Sequence, residues 1–372
     1  MTATLLSVKR PYFSEHFFDN LYYANGSLQR PECSAFLKSE PRDFVVKECF
    51  SFNCSGQGEH VWLKVKKVQQ HTEQVAKLLA RFANVAVRDV GYSGMKDVQG
   101  VTTQWFSVWL PGVKPEDWPD WQELNSEQIT VQKVISHDKK LQRGTHVANQ
   151  FEIVLKQFSG DIRTFSQSID LIRQRGVPNY FGVQRFGHRG SNLNQAMAAF
   201  EQGKRIKQRH KRSLLLSAAR AWLFNTALSK RLRDGSWLRV YDCEPLNLQG
   251  TQQYFIAEDK NCEQLRVDVA DVHTTGPMWG KPCSRRGQQL ADDSELAIYE
   301  QDCIERNEVF AQGLVKAGLE YARRPLRFLP KDLIWEQQGE HIVLTFSLAR
   351  GQYATSLLRE LVDTNQAIAS MS

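Results

Sequence analysis

The sequence predicts an α+β fold in which a mostly helical unit is inserted into a strand-rich host. Strand-like patterns dominate residues 34–158, helical patterns dominate residues 176–327, and strand character returns after Pro330. Because a pattern that resumes after an interruption is typical of an insertion, we predict three segments, 1–175, 176–327 and 328–372. A length of 372 residues agrees with about two domains.

The host begins with strands. Residues 44–50 are apolar and β-branched, and residues 60–68 alternate between apolar and polar or aromatic positions. A helix follows, because apolar residues recur at helical spacing from Val75 to Phe82, with Thr72 as the expected N-cap. Residues rich in Pro, Asp and Trp predict a surface connection at 111–127. Further strands are expected near 85–92, 104–110, 129–136 and 149–158.

Helical periodicity replaces alternation later in the chain. The helix predicted at 161–175 ends before Gly176, a residue suited to the position after a helix. The helix predicted at 213–234 is apolar around most of its circumference. Residues 235–293 give no assignable element. Helices are predicted at 161–175, 213–234, 295–317 and 354–363, and a strand at 341–348.

Composition limits the function classes. Forty-eight Lys and Arg against 41 Asp and Glu give a net charge of +7, which favours a polyanionic partner. The seven cysteines and nine histidines form no zinc-like spacing, so we expect no metal and reduced thiols in the cytoplasm. No signal peptide is apparent, and no stretch approaches the roughly twenty apolar residues of a membrane helix. Dinucleotide and P-loop fingerprints are absent, which removes support for nucleotide cofactors and for a Rossmann-type methyltransferase.

The segment GYSGMKDVQGVTTQWF has the composition of a functional loop. Asp97 lies between Gly94 and Gly100, directly after a predicted strand. Glycines allow a sharp turn and a close approach of a ligand, and a carboxylate there could be a nucleophile. From spacing alone, an exposed turn in which the aspartate caps its own backbone is the more common case.

Two further segments mix aromatic and charged residues. In GVPNYFGVQRFGHRG, aromatic rings alternate with Arg185 and Arg189, an arrangement that fits either contacts with RNA or core packing. In GQYATSLLREL, Tyr353 precedes a helix, which is more often packing than function.

A run of six cations occupies residues 204–212. It fits either RNA-backbone contacts or a solvated helix end. As backbone candidates we take Arg185 together with the basic cluster, defined as Lys207, Arg209, Lys211 and Arg212.

These segments resemble one known family. SGMKDVQGVTTQWFSV resembles the catalytic motif of TruD-type pseudouridine synthases, and VPNYFGVQRFG is similar to the signature that opens that family's inserted domain. FLKSEPRDFVVKE, GEHVWLKVKK, ANQFEIVL, RSLLLSAARAWLFN and GQYATSLLREL also match in the family's order. Together the matches span about residues 33–362.

The resemblance implies a two-lobed pseudouridine synthase core with a mixed, largely antiparallel sheet, and an inserted, mostly helical TRUD domain. It implies isomerisation of uridine at position 13 of certain transfer RNAs, without cofactor or metal. Asp97 would be the nucleophile and Lys38 its neighbouring lysine. The positions that line the base pocket are Phe44, Asn149 and Tyr353, with Phe151 close by. Tyr353 stands where the family has Phe, so its hydroxyl requires a partner of its own.

A non-catalytic RNA-binding protein or RNA chaperone is the alternative, since it would retain the basic surface without turnover. The intact Lys38 and Asp97 favour the enzyme. A monomer is expected, because the insertion would supply a binding cleft within one chain.

Overall fold

The computed structural model describes residues 21, 23–26, 29–51, 55–203, 206–282, 290, 293–305 and 307–364. The strands in chain order are β1 Ser34–Leu37, β2 Phe44–Cys49, β3 His60–Val68, β4 Val90–Tyr92, β5 Val101–Trp109, β6 Ile129–His137, β7 Ala148–Ser159, β8 Val177–Pro178, β9 Pro245–Leu248, β10 Tyr254–Ile256, β11 Val272–His273, β12 Thr275–Met278, β13 Ala322–Pro325, β14 Arg327–Phe328, β15 Lys331–Gln338 and β16 His341–Ala349. The helices are α1 Thr72–Phe82, α2 Ile162–Arg175, α3 Ser191–Glu201, α4 Arg209–Arg233, α5 Lys260–Asp268, α6 Glu295–Glu305, α7 Glu308–Lys316 and α8 Ala354–Leu361.

The chain divides into two compact units, each of which is discontinuous in sequence. One contains Pro31–Gln167, Pro330–Ala354 and the described residues from Leu361 onward. The other contains Ser168–Leu329, Thr355–Glu360 and the described residues before Pro31. The domain boundaries that the sequence predicts, between residues 175 and 176 and between residues 327 and 328, remain a prediction.

A nine-stranded sheet forms the first unit. Its order is β15-β16-β7-β2-β5-β3-β6, with β1 paired to β7 and β4 paired to β5. Among these described strands only β2 and β5 run parallel, in a register that sets Val45 beside Val101. The expectation of a mixed, largely antiparallel sheet is therefore confirmed.

The core of this sheet follows the alternation of β3. Val61, Leu63 and Val65 are fully buried and pack with Val75 and Leu79 of α1. Alternate strand positions face the same side, which explains why these residues share one core.

Trp62, on the opposite face of β3, is buried as well. Trp62 is 2% exposed, because its ring packs against those of Trp105 and His137. Its indole Nε1 donates to the Lys139 carbonyl at 2.8 Å, so burial leaves no polar atom of the ring unpaired.

Three local expectations are corrected. The N-cap of α1 is His71, and Thr72 instead donates its hydroxyl hydrogen to Gln104. Residues 111–127 are not wholly a surface connection, because Trp121 and Leu124 belong to the core. Of residues 85–92, only the last three form a strand, after a 3₁₀ turn at Val87–Asp89.

The second unit is built around α4, whose Phe224 and Leu228 are fully buried. It is less purely helical than expected, since 235–293 contributes α5 and the sheet β10-β9-β11, and β12 pairs with β13. The single helix expected at 295–317 is two helices, α6 and α7, with Asn307 as the N-cap of α7. Among the described helices, none combines the length and hydropathy needed to cross a bilayer.

Candidate active site

The loop between β4 and β5, residues 93–100, contains the predicted nucleophile Asp97. The parallel pairing of β2 with β5 brings the end of this loop against the start of β2. A Cβ atom at Gly100 would lie 2.4 Å from the Phe44 carbonyl oxygen, which is closer than any side chain allows. Glycine is therefore required at position 100 for the loop to meet β2.

Asp97 forms an ion pair with Lys38. Lys38 Nζ donates to Asp97 Oδ2, and the two side chains are only 15% and 22% exposed. Lys38 follows β1 with a left-handed φ of 59°, a conformation that non-glycine residues seldom adopt. Its amine lies 4.2 Å from the centroid of the Phe44 ring, so Lys38 also makes a cation–π contact.

The surroundings of Asp97 favour its ionised form. Burial works to raise the carboxyl pKa, but the hydrogen bonds from Lys38 and from the backbone of Gln99 and Val98 hold the pKa below its ordinary value. The Gln99 N–H donates to Asp97 Oδ1 at 3.0 Å. Asp97 is consequently a carboxylate at neutral pH, the form that can attack an electrophile or accept a proton.

Aromatic rings form one wall beside this pair. Phe44 meets Phe151 edge to face at 6.1 Å, and Phe151 stacks on Phe346 at 5.2 Å. Phe44 and Phe151 are 5% and 8% exposed. Phe44 is thus the ring nearest the Lys38 amine, and Phe151 supports it from the core.

Asn149 lies on β7, directly opposite Glu48 of β2 and Leu348 of β16. Its Oδ1 is buried and has no hydrogen-bond partner among the described residues. A buried acceptor without a donor is costly, so such an atom marks a place where a ligand can supply the donor.

Tyr353 is half-buried and immediately precedes α8. It follows the end of β16, where Ala349 pairs with Ala148 of β7. The pairing therefore brings the segment before α8 to the same end of the sheet as Asn149.

A second set of charges around the loop was not predicted from the sequence. Glu48 and Lys96 form an ion pair of 2.5 Å, and Lys67 is fully buried with its amine donating to the Gln70 carbonyl at 2.6 Å. Burial, with Lys96 nearby, lowers the pKa of Lys67 to about 8. The burial of Glu48 could have been predicted from the sequence. Alternate residues of a strand face the same side, so Glu48 shares a face with the buried Phe44 and Val46.

His146 fixes the beginning of the loop. Its backbone N–H donates to Ser93 Oγ at 2.8 Å, and its Nδ1 lies 2.5 Å from the same oxygen. Burial, with the cations Lys96 and Arg350 nearby, lowers the pKa of His146 to about 4. The imidazole is therefore neutral in the physiological range.

The proposed RNA-backbone residues belong to the unit around α4. Arg185 is half-buried, and its guanidinium donates to Ser217 of α4 at 3.0 Å. The basic cluster is exposed at the start of α4, and Arg212 donates to the Ala317 carbonyl at 3.0 Å. Lys204 and Arg205 lie outside the described residues. Within the described ranges, no three His, Cys, Asp or Glu side chains are grouped so that they could hold a metal ion.

Comparisons with known proteins show which family this chain resembles. A family model described as tRNA pseudouridine synthase D (TruD) matches residues 21–194 and 191–361. A protein of that name from Nitrosococcus oceani is 42% identical over 91% of this chain and 93% of its own length, and one from Methylococcus capsulatus is 40% identical over 93% and 95%.

A crystal structure from Methanosarcina mazei assigned to tRNA pseudouridine synthase D covers 92% of this chain and 97% of its own, with a TM-score of 0.71. At 17% identity this likeness supports the fold. The family match and the relatives at about 40% identity decide the membership. The chain belongs to the tRNA pseudouridine synthase D (TruD) family.

Proposed function

We propose that this protein converts uridine to pseudouridine in transfer RNA, with Asp97 as the catalytic carboxylate. Family membership supports the reaction and the substrate class. The single observation that supports the assignment of Asp97 is its ion pair with Lys38, shielded from solvent and placed beside the Phe44 ring.

The reaction is an isomerisation and balances without any other reactant. The N1–C1′ bond of uridine breaks, a C5–C1′ bond forms, C5 gives up its proton and N1 acquires one. A carboxylate serves this chemistry as a nucleophile towards the ribose or the base, or as the base that removes a proton. Each role requires the ionised form, which Lys38 and the Gln99 and Val98 backbone stabilise.

The target uridine must leave the RNA stack to reach Asp97, at a cost of a few kcal/mol. Stacking on an aromatic face returns about 1–3 kcal/mol per base, and Phe44 and Tyr353 are the proposed faces. Asn149 Oδ1 is the proposed acceptor for the uracil N3–H. Cytosine carries no hydrogen at N3, so the same oxygen would select uracil.

Contacts with phosphates are assigned to the basic cluster and Arg185. The exposure and positive charge of the basic cluster support this, because counterion release drives binding to nucleic acid. Arg185 is half-buried and is proposed on its charge alone. Position 13 of transfer RNA is the proposed target, on the family resemblance. Transcripts that carry uridine or cytidine at position 13 test it, and tritium release that persists with cytidine there would exclude that position.

A cytoplasmic location and a monomeric state remain proposals. Cell fractionation tests the first, and analytical ultracentrifugation with and without transfer RNA tests the second.

Asp97→Asn tests the catalytic assignment. The amide keeps the size of the carboxyl group but removes its charge and its basic oxygen, so turnover should fall below detection. Tritium release from 5-tritiated uridine, with enzyme in excess over RNA, measures the chemical step, and nucleoside analysis confirms the product. Asp117→Asn, at an exposed position, is the matched control and should behave as the parent.

RNA affinity of the Asp97→Asn protein should change by less than about tenfold, because phosphate contacts dominate binding. Circular dichroism should show retained folding. Pseudouridine formed by a folded Asp97→Asn protein would overturn the role of Asp97 and favour a different catalytic group.

A further inference from the structure

Lys96, the residue before Asp97, belongs to a buried ion pair. Lys96 Nζ is 2.5 Å from Glu48 Oε1, and the two side chains are 5% and 0% exposed. The other Glu48 oxygen accepts the Trp105 N–H at 3.0 Å. Removing two charges from water is costly, and apolar side chains of the same size would often give equal stability. The pair is therefore better explained by what it holds in place than by its contribution to folding.

The backbone of the same loop is held by α1 and β5. The Lys96 N–H donates to Thr72 Oγ1 at 3.1 Å, and the Thr72 hydroxyl donates to Gln104 Oε1 at 2.9 Å. Gln104 Nε2 in turn donates to the Gly94 carbonyl at 3.3 Å. Both the side chain and the N–H of Lys96 are thus fixed, and Lys96 shares a peptide unit with Asp97.

We infer that Glu48, Lys96 and Thr72 are positioning residues that hold the Asp97 carboxylate within reach of Lys38 and the substrate. This inference rests on the proposed function, since it assumes that Asp97 is the catalytic group. Its physical basis is that a misplacement of about 1 Å at a reacting group can cost about 100-fold in rate.

A double substitution separates positioning from stability. Glu48→Gln alone leaves the Lys96 charge buried without its partner, so it should lower both the melting temperature and the rate. Glu48→Gln combined with Lys96→Met removes both charges, keeps the volume and keeps an oxygen that can accept the Trp105 N–H. This double variant should regain most of the melting temperature, while its single-turnover rate stays about 10- to 100-fold below the parent.

The matched control is the exposed ion pair of Asp242 and Lys260, whose side chains are 65% and 46% exposed. Replacing Asp242 by Asn and Lys260 by Met should leave both the rate and the melting temperature close to those of the parent. Affinity for transfer RNA should be unchanged in both double variants, because none of the four residues is a proposed phosphate contact.

A second pair of variants serves if the double variant does not fold. Thr72→Ser keeps the hydroxyl and should keep the rate, whereas Thr72→Val keeps the shape and should lower it. The slower variants should also show an acid limb displaced to higher pH, because a displaced Asp97 loses part of the hydrogen bond that lowers its pKa. The titratable groups that face this loop are Glu48, Lys38, Lys67 and His146.

The outcomes distinguish this inference from the proposed function. A folded Glu48→Gln/Lys96→Met protein, or a folded Thr72→Val protein, with the parental rate and pH profile would overturn the positioning role alone. Turnover by Asp97→Asn would instead overturn the assignment of Asp97 within the proposed function, and the positioning role together with it.

Discussion

Replacing Lys38 by Met removes the cation that Asp97 contacts and retains most of the aliphatic stem. In the structure the Lys38 amine donates to Asp97 and lies 4.2 Å from the Phe44 ring centroid. With 15% and 22% of their side-chain surfaces exposed, Lys38 and Asp97 are only partly screened by water. The substitution should therefore act on the chemical step more than on folding.

The size of the effect follows from the hydrogen bond that the substitution removes. A hydrogen bond to a charged group contributes about 1.5–3 kcal/mol, and about 1.4 kcal/mol corresponds to a factor of ten in rate. Lys38→Met should consequently slow single turnover by about 10- to 150-fold at pH 7. Because burial raises the pKa of Asp97 and Lys38 is the main group opposing it, that pKa should rise in the variant. The acid limb of the rate profile should then move to higher pH.

Single-turnover tritium release between pH 5 and 9 measures both quantities. Lys38→Arg keeps the charge and should lose less activity than Lys38→Met. Lys47→Met, which removes an exposed cation from the neighbouring β2, should keep the parental rate and acid limb. If Lys38→Met retains both the rate and the acid limb of the parent, the ion pair is not coupled to catalysis and the reasoning is refuted.

Four further predictions concern the pocket, the RNA contacts and stability. Tyr353→Phe should keep most activity, whereas Tyr353→Ala should lose about 10- to 100-fold, which corresponds to the loss of one stacked base. Equal losses of activity in the two variants would assign the role to the hydroxyl instead of the ring. Replacing all four residues of the basic cluster by Gln should reduce the slope of log affinity against log salt by up to about 0.9 for each phosphate contact that is lost. An unchanged slope would mean that the cluster is a solvated surface that does not contact RNA. His146 has its pKa lowered from 6.5 to about 4, so below pH 6.5 the unfolded state takes up a proton that the folded state does not. The free energy of unfolding should therefore fall by up to about 3 kcal/mol from this group as pH drops from 7 to 4, and urea titrations of a His146→Asn variant should lack that component. Gly100→Ala should reduce both melting temperature and turnover by forcing the loop away from the Phe44 carbonyl. Gly112→Ala is the control for a loss of stability alone: its site has open space but a positive φ of 71°, so the variant should lower the melting temperature and keep the rate. A normal rate in Gly100→Ala would show that the close approach is dispensable.

Much of the local structure was predictable from the sequence. The alternation of β3, the helical spacing of α1 and the apolar circumference of α4 each depend on residues a few positions apart, and the structure confirms all three elements. The loop with Asp97 between glycines was also visible, because turn chemistry is local. Lys38 and Asn149, in contrast, were identified only through the resemblance to a family.

Only the tertiary structure decided how the residues of the candidate site meet. Lys38 and Asp97 are separated by 59 positions, and Glu48 and Lys96 come from β2 and the loop before β5, so no periodic pattern connects them. The parallel pairing of β2 with β5 brings these residues together, and hydrophobic periodicity specifies which face of a strand is buried but not which strand lies beside it. Likewise, the sequence shows a threonine at the start of α1, but only the packing of the loop against this helix shows that the threonine hydroxyl accepts the Lys96 N–H.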